Sequence, residues 1–376
     1  MTNSTLDIAL QNRTTSNTVF AYITGSAIDN NNKVFLLQAD GRTPYYPDSP
    51  SSTGAPLQAD CAINLGAPGA SRTVTIPRLA GARLWFSVDG HLTFLINPGP
   101  GLVEPSVTNP SDPNFNTNFG FCEFTFNSAQ LFANISYVDF VSLPISLDLT
   151  NTSGATQHVS GMPANGLQTV CDGLRAQSAN DGAGWSQLIQ GANGQNLRAL
   201  SPNNAIVLNN SLFNGYYQPY VDQVYAKYSN QPLSIDTQAQ WGTVPGTVQN
   251  NTFAFSGSGG SFGKPSAADI FSCSTGPFVF GSNIEMGAIT ARLTAAFNRS
   301  TLLSDTLQPN TNNDYYQERI TNHYARIVHD VNLDHRGYAF PYDDVAAFGG
   351  ADQSGAVFDG APVLLTVAVG GAGAHT

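Results

Sequence analysis

Along the first 150 residues, apolar and polar positions alternate in short runs. LDIALQN, NTVFAYITG, KVFLLQA, SRTVTIP, ARLWFSVDG, HLTFLIN, FCEFTFN and NISYVDFVSLPISLDLTN are rich in β-branched and aromatic residues, and clusters such as YYPDSPSSTGAP and NPGPG separate them. Many short strands divided by turn signals predict a β-sandwich or barrel. The texture changes near residue 160. In GLQTVCDGLRAQ, Leu167, Val170, Cys171 and Leu174 fall at helical spacing. Residues 216–230, 283–302 and 314–330 predict further helices, the last with a stripe of Tyr316, Ile320, Tyr324 and Ile327. TFAFSG and GPFVFG read as strand-like pieces between them, and APVLLTVAVGG (361–371) as a buried closing strand. The fold expected is mostly β: a sandwich or barrel domain over 1–158 and 335–376, with a mixed α/β domain over 159–334 before the chain returns.

Within that pattern GFCEFTFN (120–127) is unusual, because a glutamate interrupts a run of aromatic residues in a chain with four Glu in all. Side chains alternate across a strand, so Cys122, Phe124 and Phe126 face one way and Phe119, Phe121, Glu123, Thr125 and Asn127 the other. The second face turns polar from Glu123 onward, which fits either an aromatic-lined groove or a solvated strand with its rings covered by a loop. A second acid follows in NISYVDFVSLP, where Ile135, Tyr137, Asp139 and Val141 share a face. A hairpin turning at Leu131 sets Glu123 opposite Asp139, although a slip of the loop alters that register. Two acids on one face form the minimal constellation for splitting a glycosidic bond, one protonating the leaving oxygen and the other activating water or attacking the sugar. Equally, both acids can serve only to bind loop amides.

Composition narrows the classes. Only 11 % of the 376 residues are charged and the formal net charge is −11, with Lys33, Lys227 and Lys264 the only lysines. Such a surface repels phosphate backbones and excludes nucleic acid as a partner. Asn, Ser, Thr and Gln supply the polarity, as in secreted proteins that handle neutral polymers. Asn-x-Ser/Thr sequons at Asn3, Asn12, Asn134, Asn151, Asn209, Asn250 and Asn298 lean the same way. MTNSTLDIAL has neither a basic start nor an apolar stretch of signal-peptide type, so Met1 reads as an added start on a mature, secreted chain, with a cytoplasmic origin as the alternative. No apolar run reaches the roughly 20 residues of a membrane span. Cys61, Cys122, Cys171 and Cys273 lack zinc-ligand spacing and permit one or two disulfides, with Cys122 read as structural.

Other constellations carry less. HDVNLDH (329–335) clusters His329, Asp330, Asp334 and His335 without third-ligand spacing and reads as a polar loop rather than a metal site. SGSGGSFG lacks the Lys-Ser/Thr of a phosphate loop, Asp343 and Asp344 in PYDD are an alternative acid pair that reads rather as a turn, and no Gly-x-Ser-x-Gly elbow is present. Trp85, Trp185 and Trp241 read as packing residues before sugar platforms.

The run NPGPGLVEPSVTNPSDPNFNTNFGFCEFTFN, followed by NISYVDFVSLPISL, resembles the core signature of family 64 glycoside hydrolases, β-1,3-glucanases related in fold to thaumatin. CDGLRAQSANDGAGWSQLI, GYYQPYVDQVYAKY and YARIVHDVNLDHRGYAFPYDDV extend the resemblance over nearly the whole chain. It implies a thaumatin-like β domain and a mixed α/β domain flanking a wide groove. It also implies endo-attack on β-1,3-glucan with inversion, giving mainly laminaripentaose. The chain is read as a monomer that works without cofactor or metal. Glu123 falls on the family's catalytic acid and Asp139 on its base. Thr125 and Asn127 match sugar-contacting positions, Phe132 stands where the family can place tryptophan, and Tyr137 shares the Asp139 face as a further substrate-binding candidate. The competing expectation is a thaumatin-like protein that binds β-glucan, or acts on fungi, without cleaving it; a structural coat or adhesion protein fits the composition but leaves the acid pair unexplained.

Overall fold

The computed structural model describes residues 2–310, 314–351 and 353–371. Among them the chain forms a mixed α/β fold with several sheets and six α-helices. The largest sheet has eight strands. Its path runs Ala356–Asp359, Leu131–Ile135, Asn118–Phe126, Leu79–Val88, Val19–Ala27, Lys33–Leu37 and Pro44–Tyr45, with Ile63–Asn64 joined to Val19–Ala27. A five-stranded sheet runs Thr156–Val159, Ile145–Asn151, Pro362–Val369, Thr5–Asn12 and Ser71–Pro77. One face of each is apolar: Leu84, Phe86, Cys122, Phe124 and Phe126 on the first, and Ile8, Leu10, Ile76, Leu147, Leu365 and Val367 on the second, all buried in one continuous core. The closing strand Pro362–Val369 pairs in parallel with Thr5–Asn12 and antiparallel with Ile145–Asn151, so the two ends of the chain are stitched into one sheet.

Some expectations change. NISYVDFVSLPISLDLTN is not one strand but contributes to three separate sheets, through Leu131–Ile135, Phe140–Val141 and Ile145–Asn151. GPFVFG makes only a single 3-10 turn at Gly276–Phe278. The helices expected at residues 167, 216 and 283 form as Gly166–Asp181, Gln218–Tyr228 and Ile284–Arg299. In 314–330, by contrast, the helix starts only at His323, because the Asn322 side chain accepts from the Ala325 amide and caps it there. The segment before it docks on the end of Ile284–Arg299, Tyr316 donating to the Arg299 carbonyl and Asn322 to Asn298. Short helices at Pro202–Leu208 and Ala267–Ser272 carry Ser caps at Ser201 and Ser266 and were too short to show a period. No helix among the described residues is long and apolar enough to cross a membrane.

The cysteines form no disulfide: all four are free and buried. Burial pushes the Cys61, Cys122 and Cys273 thiols up to about 12 and the Cys171 thiol to about 11. A thiol reagent therefore labels none of them at neutral pH in the native protein and all four in denaturant, and reductant leaves the melting temperature unchanged. Rapid native labelling, or a fall in melting temperature with reductant, contradicts this packing.

Candidate active site

The site grows out of one face of the eight-stranded sheet, in rows that cross the strands. Pairing aligns Tyr22 with Trp85 and Trp85 with Phe121. Two residues further on, Thr24, Arg83, Glu123 and Asn134 stand side by side on four neighbouring strands, and the next row joins Thr125, Phe132 and Phe358. Because side chains alternate with period two, these rows share a face. The Tyr22–Trp85–Phe121 row is buried, with the Trp85 and Phe121 rings 4.8 Å apart and the Phe140 ring edge-on to Phe121 at 5.8 Å. An aromatic layer thus closes one end of the face, the polar row opens beside it, and a second aromatic row forms the far rim.

A kink sets the position of Arg83 in this row. The register slips on both sides of its strand, since Ala82 to Leu79 spans the partners Phe124 to Phe126, and Arg83 to Ala80 the partners Thr24 to Ser26. The Leu79–Val88 strand therefore carries an extra residue, and Gly81 within it takes φ +53, in the left-handed region that glycine tolerates.

Arg83 holds three carboxylates. Its Nη1 donates to Glu104 Oε2 at 2.9 Å, its Nε donates to Glu123 Oε1 at 3.2 Å, and its Nη2 is 3.9 Å from Asp139 Oδ2. The guanidinium lies over the Phe121 ring at 4.7 Å and near Trp85 at 5.4 Å. Burial works against its charge, but Glu104, then Glu123 and Asp139, outweigh that cost and hold Arg83 above the usual guanidinium range. Glu104 is fixed from its other side: Trp85 Nε1 donates to Thr24 Oγ1, which donates to Glu104 Oε1, both at 3.0 Å. The arrangement is a cation with its donors directed at three acids, resting on an aromatic floor.

Asp139 reaches the site by another route than the hairpin expected from sequence. Glu123 stands opposite Asn134, not Asp139, because the strands turn at 127–130, where Asn127 Oδ1 accepts from the Ala129 and Gln130 amides. Asp139 lies on a bend between Leu131–Ile135 and Phe140–Val141. Anchors flank this bend. Tyr137 is buried, its hydroxyl donating to Asn332 Oδ1 and its carbonyl accepting from Tyr324, while Phe140 packs against Phe119 and Phe121. The Ser201 amide and the Asn204 side chain donate to the Asp139 carbonyl, and Asn204 Nδ2 also reaches Asp139 Oδ1 at 3.3 Å.

A cleft of about 450 Å³ lies along this face, lined by Arg83, Glu104, Glu123, Thr125, Phe132 and Asn134, among others. The Thr125 hydroxyl and the Asn134 side-chain amide on this lining make no side-chain hydrogen bond among the described residues. Of the residues singled out from sequence, Glu123, Thr125 and Phe132 line the cleft, and Asp139 meets them through Arg83. The other two do not join them. Asn127 is spent on the turn, and Tyr137 is in the core, where alternation fails because its segment has left the sheet. Arg83, Glu104 and Asn134 went unrecognised, although a lone cation between Leu84 and Ala82 and one of only four glutamates were visible signals. Around HDVNLDH, His329 is buried and bonds Asp343, which also pairs with Arg299; no cluster of three metal-ligand residues occurs among the described residues. Trp85 and Trp185 are buried packing residues. A separate cleft of about 470 Å³, lined by Asp181, Tyr216, Tyr220 and Glu318 among others, shares no residue with this one.

The family model Glyco_hydro_64 (Beta-1,3-glucanase) matches residues 4–369. A glucan endo-1,3-beta-glucosidase of Cellulosimicrobium cellulans is 32% identical over 288 residues, 74% of this chain and 50% of that one. The chain spans about half the length of the curated relatives it matches. Among solved structures, a laminaripentaose-producing beta-1,3-glucanase in complex with laminaritetraose superposes with a TM-score of 0.85 at 30% identity, covering 97% of this chain and 98% of that one. A GH64 beta-1,3-glucanase domain from Clostridium beijerinckii shares the fold, with a TM-score of 0.75 at 22% identity and the same coverage.

Removing the central cation leaves three acids facing one another. Arg83→Met is expected to lower stability in urea unfolding by about 1–2 kcal/mol at low ionic strength, a figure reduced for partial solvent exposure. Molar salt, which screens the repulsion, is expected to restore part of the loss. A loss that salt leaves unchanged contradicts the electrostatic role of Arg83.

Proposed function

The chain belongs to glycoside hydrolase family 64, the β-1,3-glucanases, and from that premise we propose that it is a secreted, monomeric enzyme that cleaves β-1,3-glucan internally with inversion, releasing mainly laminaripentaose. The observation that carries this reading is the approach of Glu123 and Asp139 to one guanidinium beside a cleft with spare polar groups. The likeness to a laminaripentaose-producing enzyme supports the product. The eight- and five-stranded sheets are taken to form a thaumatin-like sandwich of residues 1–158 and 335–376, with 159–334 as the mixed domain across a wide groove. The returning strand Pro362–Val369, paired with Thr5–Asn12 and Ile145–Asn151, supports that division.

In this mechanism Glu123 is the general acid. Its Oε1 accepts from Arg83, and Oε2 carries the proton given to the glycosidic oxygen as the bond to the anomeric carbon breaks. Asp139 is the base: it takes a proton from a water whose oxygen attacks that carbon from the opposite face, so the product has the inverted configuration. An inverting pair needs room for this water, with carboxyls roughly 6.5–9.5 Å apart. Arg83, on the cleft lining, faces each acid with a different nitrogen, Nε to Glu123 and Nη2 toward Asp139. Thr125 and Asn134 offer hydrogen bonds to sugar hydroxyls, and Phe132 offers a ring face.

Incubation with linear β-1,3-glucan, followed by NMR of the new reducing ends, tests the reading. The α-anomer is expected first, and Glu123→Gln and Asp139→Asn, both folded, are expected to lose about 10²–10⁴-fold in rate. The β-anomer first contradicts inversion, and binding without release makes the cleft a receptor.

A further inference from the structure

The outer aromatic row runs past the cleft to the edge of the sheet. Thr125 pairs with Phe132, and Phe132 with Phe358 on the edge strand Ala356–Asp359. Phe358 therefore lies two strand spacings from Thr125, about 10 Å. Phe132 lines the cleft and Phe358 lies beyond its lining. Their rings are close to parallel, at 20° with centroids 6.4 Å apart, and they are 37% and 56% exposed. Two neighbouring exposed phenyls on an edge strand invite association with other chains.

The backbone at this point is closed against such pairing. Gln157 Nε2 donates to the Phe358 carbonyl at 2.6 Å, and the Phe358 amide donates to Gln157 Oε1 at 3.0 Å. This reciprocal amide pair occupies the groups that a second copy of the chain would use to add a strand. It also holds the Phe358 backbone in place while the ring stays open to solvent. What remains is an uncharged, ordered ring surface in line with the cleft, suited to a neutral ligand with flat C–H faces. A pyranose ring has such faces, and a polymer cleaved internally must extend past a cleft of this size.

We infer that Phe358, together with Phe132, forms an aromatic platform supporting the part of a β-1,3-glucan chain that extends beyond the cleft. The inference rests on the glucanase reading and adds to it a binding position on the edge strand. The ring acts on polymer binding and leaves the chemical step alone.

Phe358→Ala and Phe358→Tyr, compared with wild type on long linear β-1,3-glucan and on the trisaccharide laminaritriose, test the platform. Phe358→Ala is expected to raise KM for the polymer about three- to tenfold with kcat unchanged, to leave the trisaccharide's inhibition constant unchanged, and to keep the wild-type melting temperature. Phe358→Tyr, which keeps the ring, is expected to behave as wild type. An active wild type whose polymer KM is unaffected by Phe358→Ala overturns the platform and leaves the glucanase reading standing. So does a variant that changes only self-association in solution. A wild type that neither binds nor cleaves the polymer removes the functional reading, and the platform with it.

Discussion

Two glutamates on one sheet face and an aspartate from a bend beside it converge on a single cation, and the geometry of this site depends on Arg83 filling that role. Its guanidinium has more than one direction to offer: Nη1 to Glu104, Nε to Glu123 and Nη2 toward Asp139. An ammonium would supply the charge without the fixed fork. Glu104, tied through Thr24 to Trp85, holds the guanidinium from one side, so the proposed acid and base meet a cation that is already anchored.

The sheet explains why this cation is available there. Phe121 and Trp85 beneath it exclude water and give the guanidinium a ring face to rest on, while the bulge at Gly81 adjusts its strand just before the polar row. Asp139 comes from outside the sheet on a bend held by Tyr137 and Phe140. Rigid elements thus carry one proposed catalytic acid, and a short, doubly anchored bend carries the other. This division holds both groups in place without making them neighbours on one ladder.

Much of this was legible in the sequence where the cause is local. Alternation in 119–127 put Glu123 and Thr125 on one face and Cys122, Phe124 and Phe126 in the core, as the strand Asn118–Phe126 has them. Helix periodicity found Gly166–Asp181 and Ile284–Arg299. The pairing of Glu123 was missed because the side chain of Asn127 sets the turn, and alternation cannot place a turn. Asp139 and Tyr137 were misplaced because the run from 134 to 151 feeds three sheets, which depends on partners such as Asn332 and Tyr324 almost 200 residues away. Arg83 was missed for a related reason. Its meaning lies in the strands on either side of it, and one of them is some 40 residues further on.

With Glu123 as the proposed acid and Asp139 as the proposed base, the bond to be cleaved lies between them, above the Arg83 guanidinium. A crystal structure of Glu123→Gln with a bound β-1,3-gluco-oligosaccharide tests this most directly. A glycosidic oxygen is expected within hydrogen-bond reach of the side chain at position 123, and a water held by Asp139 on the opposite face of the same ring. A sugar chain lodged instead in the cleft of Asp181, Tyr216 and Glu318, or one crossing the sheet with no ring between the two acids, would contradict it.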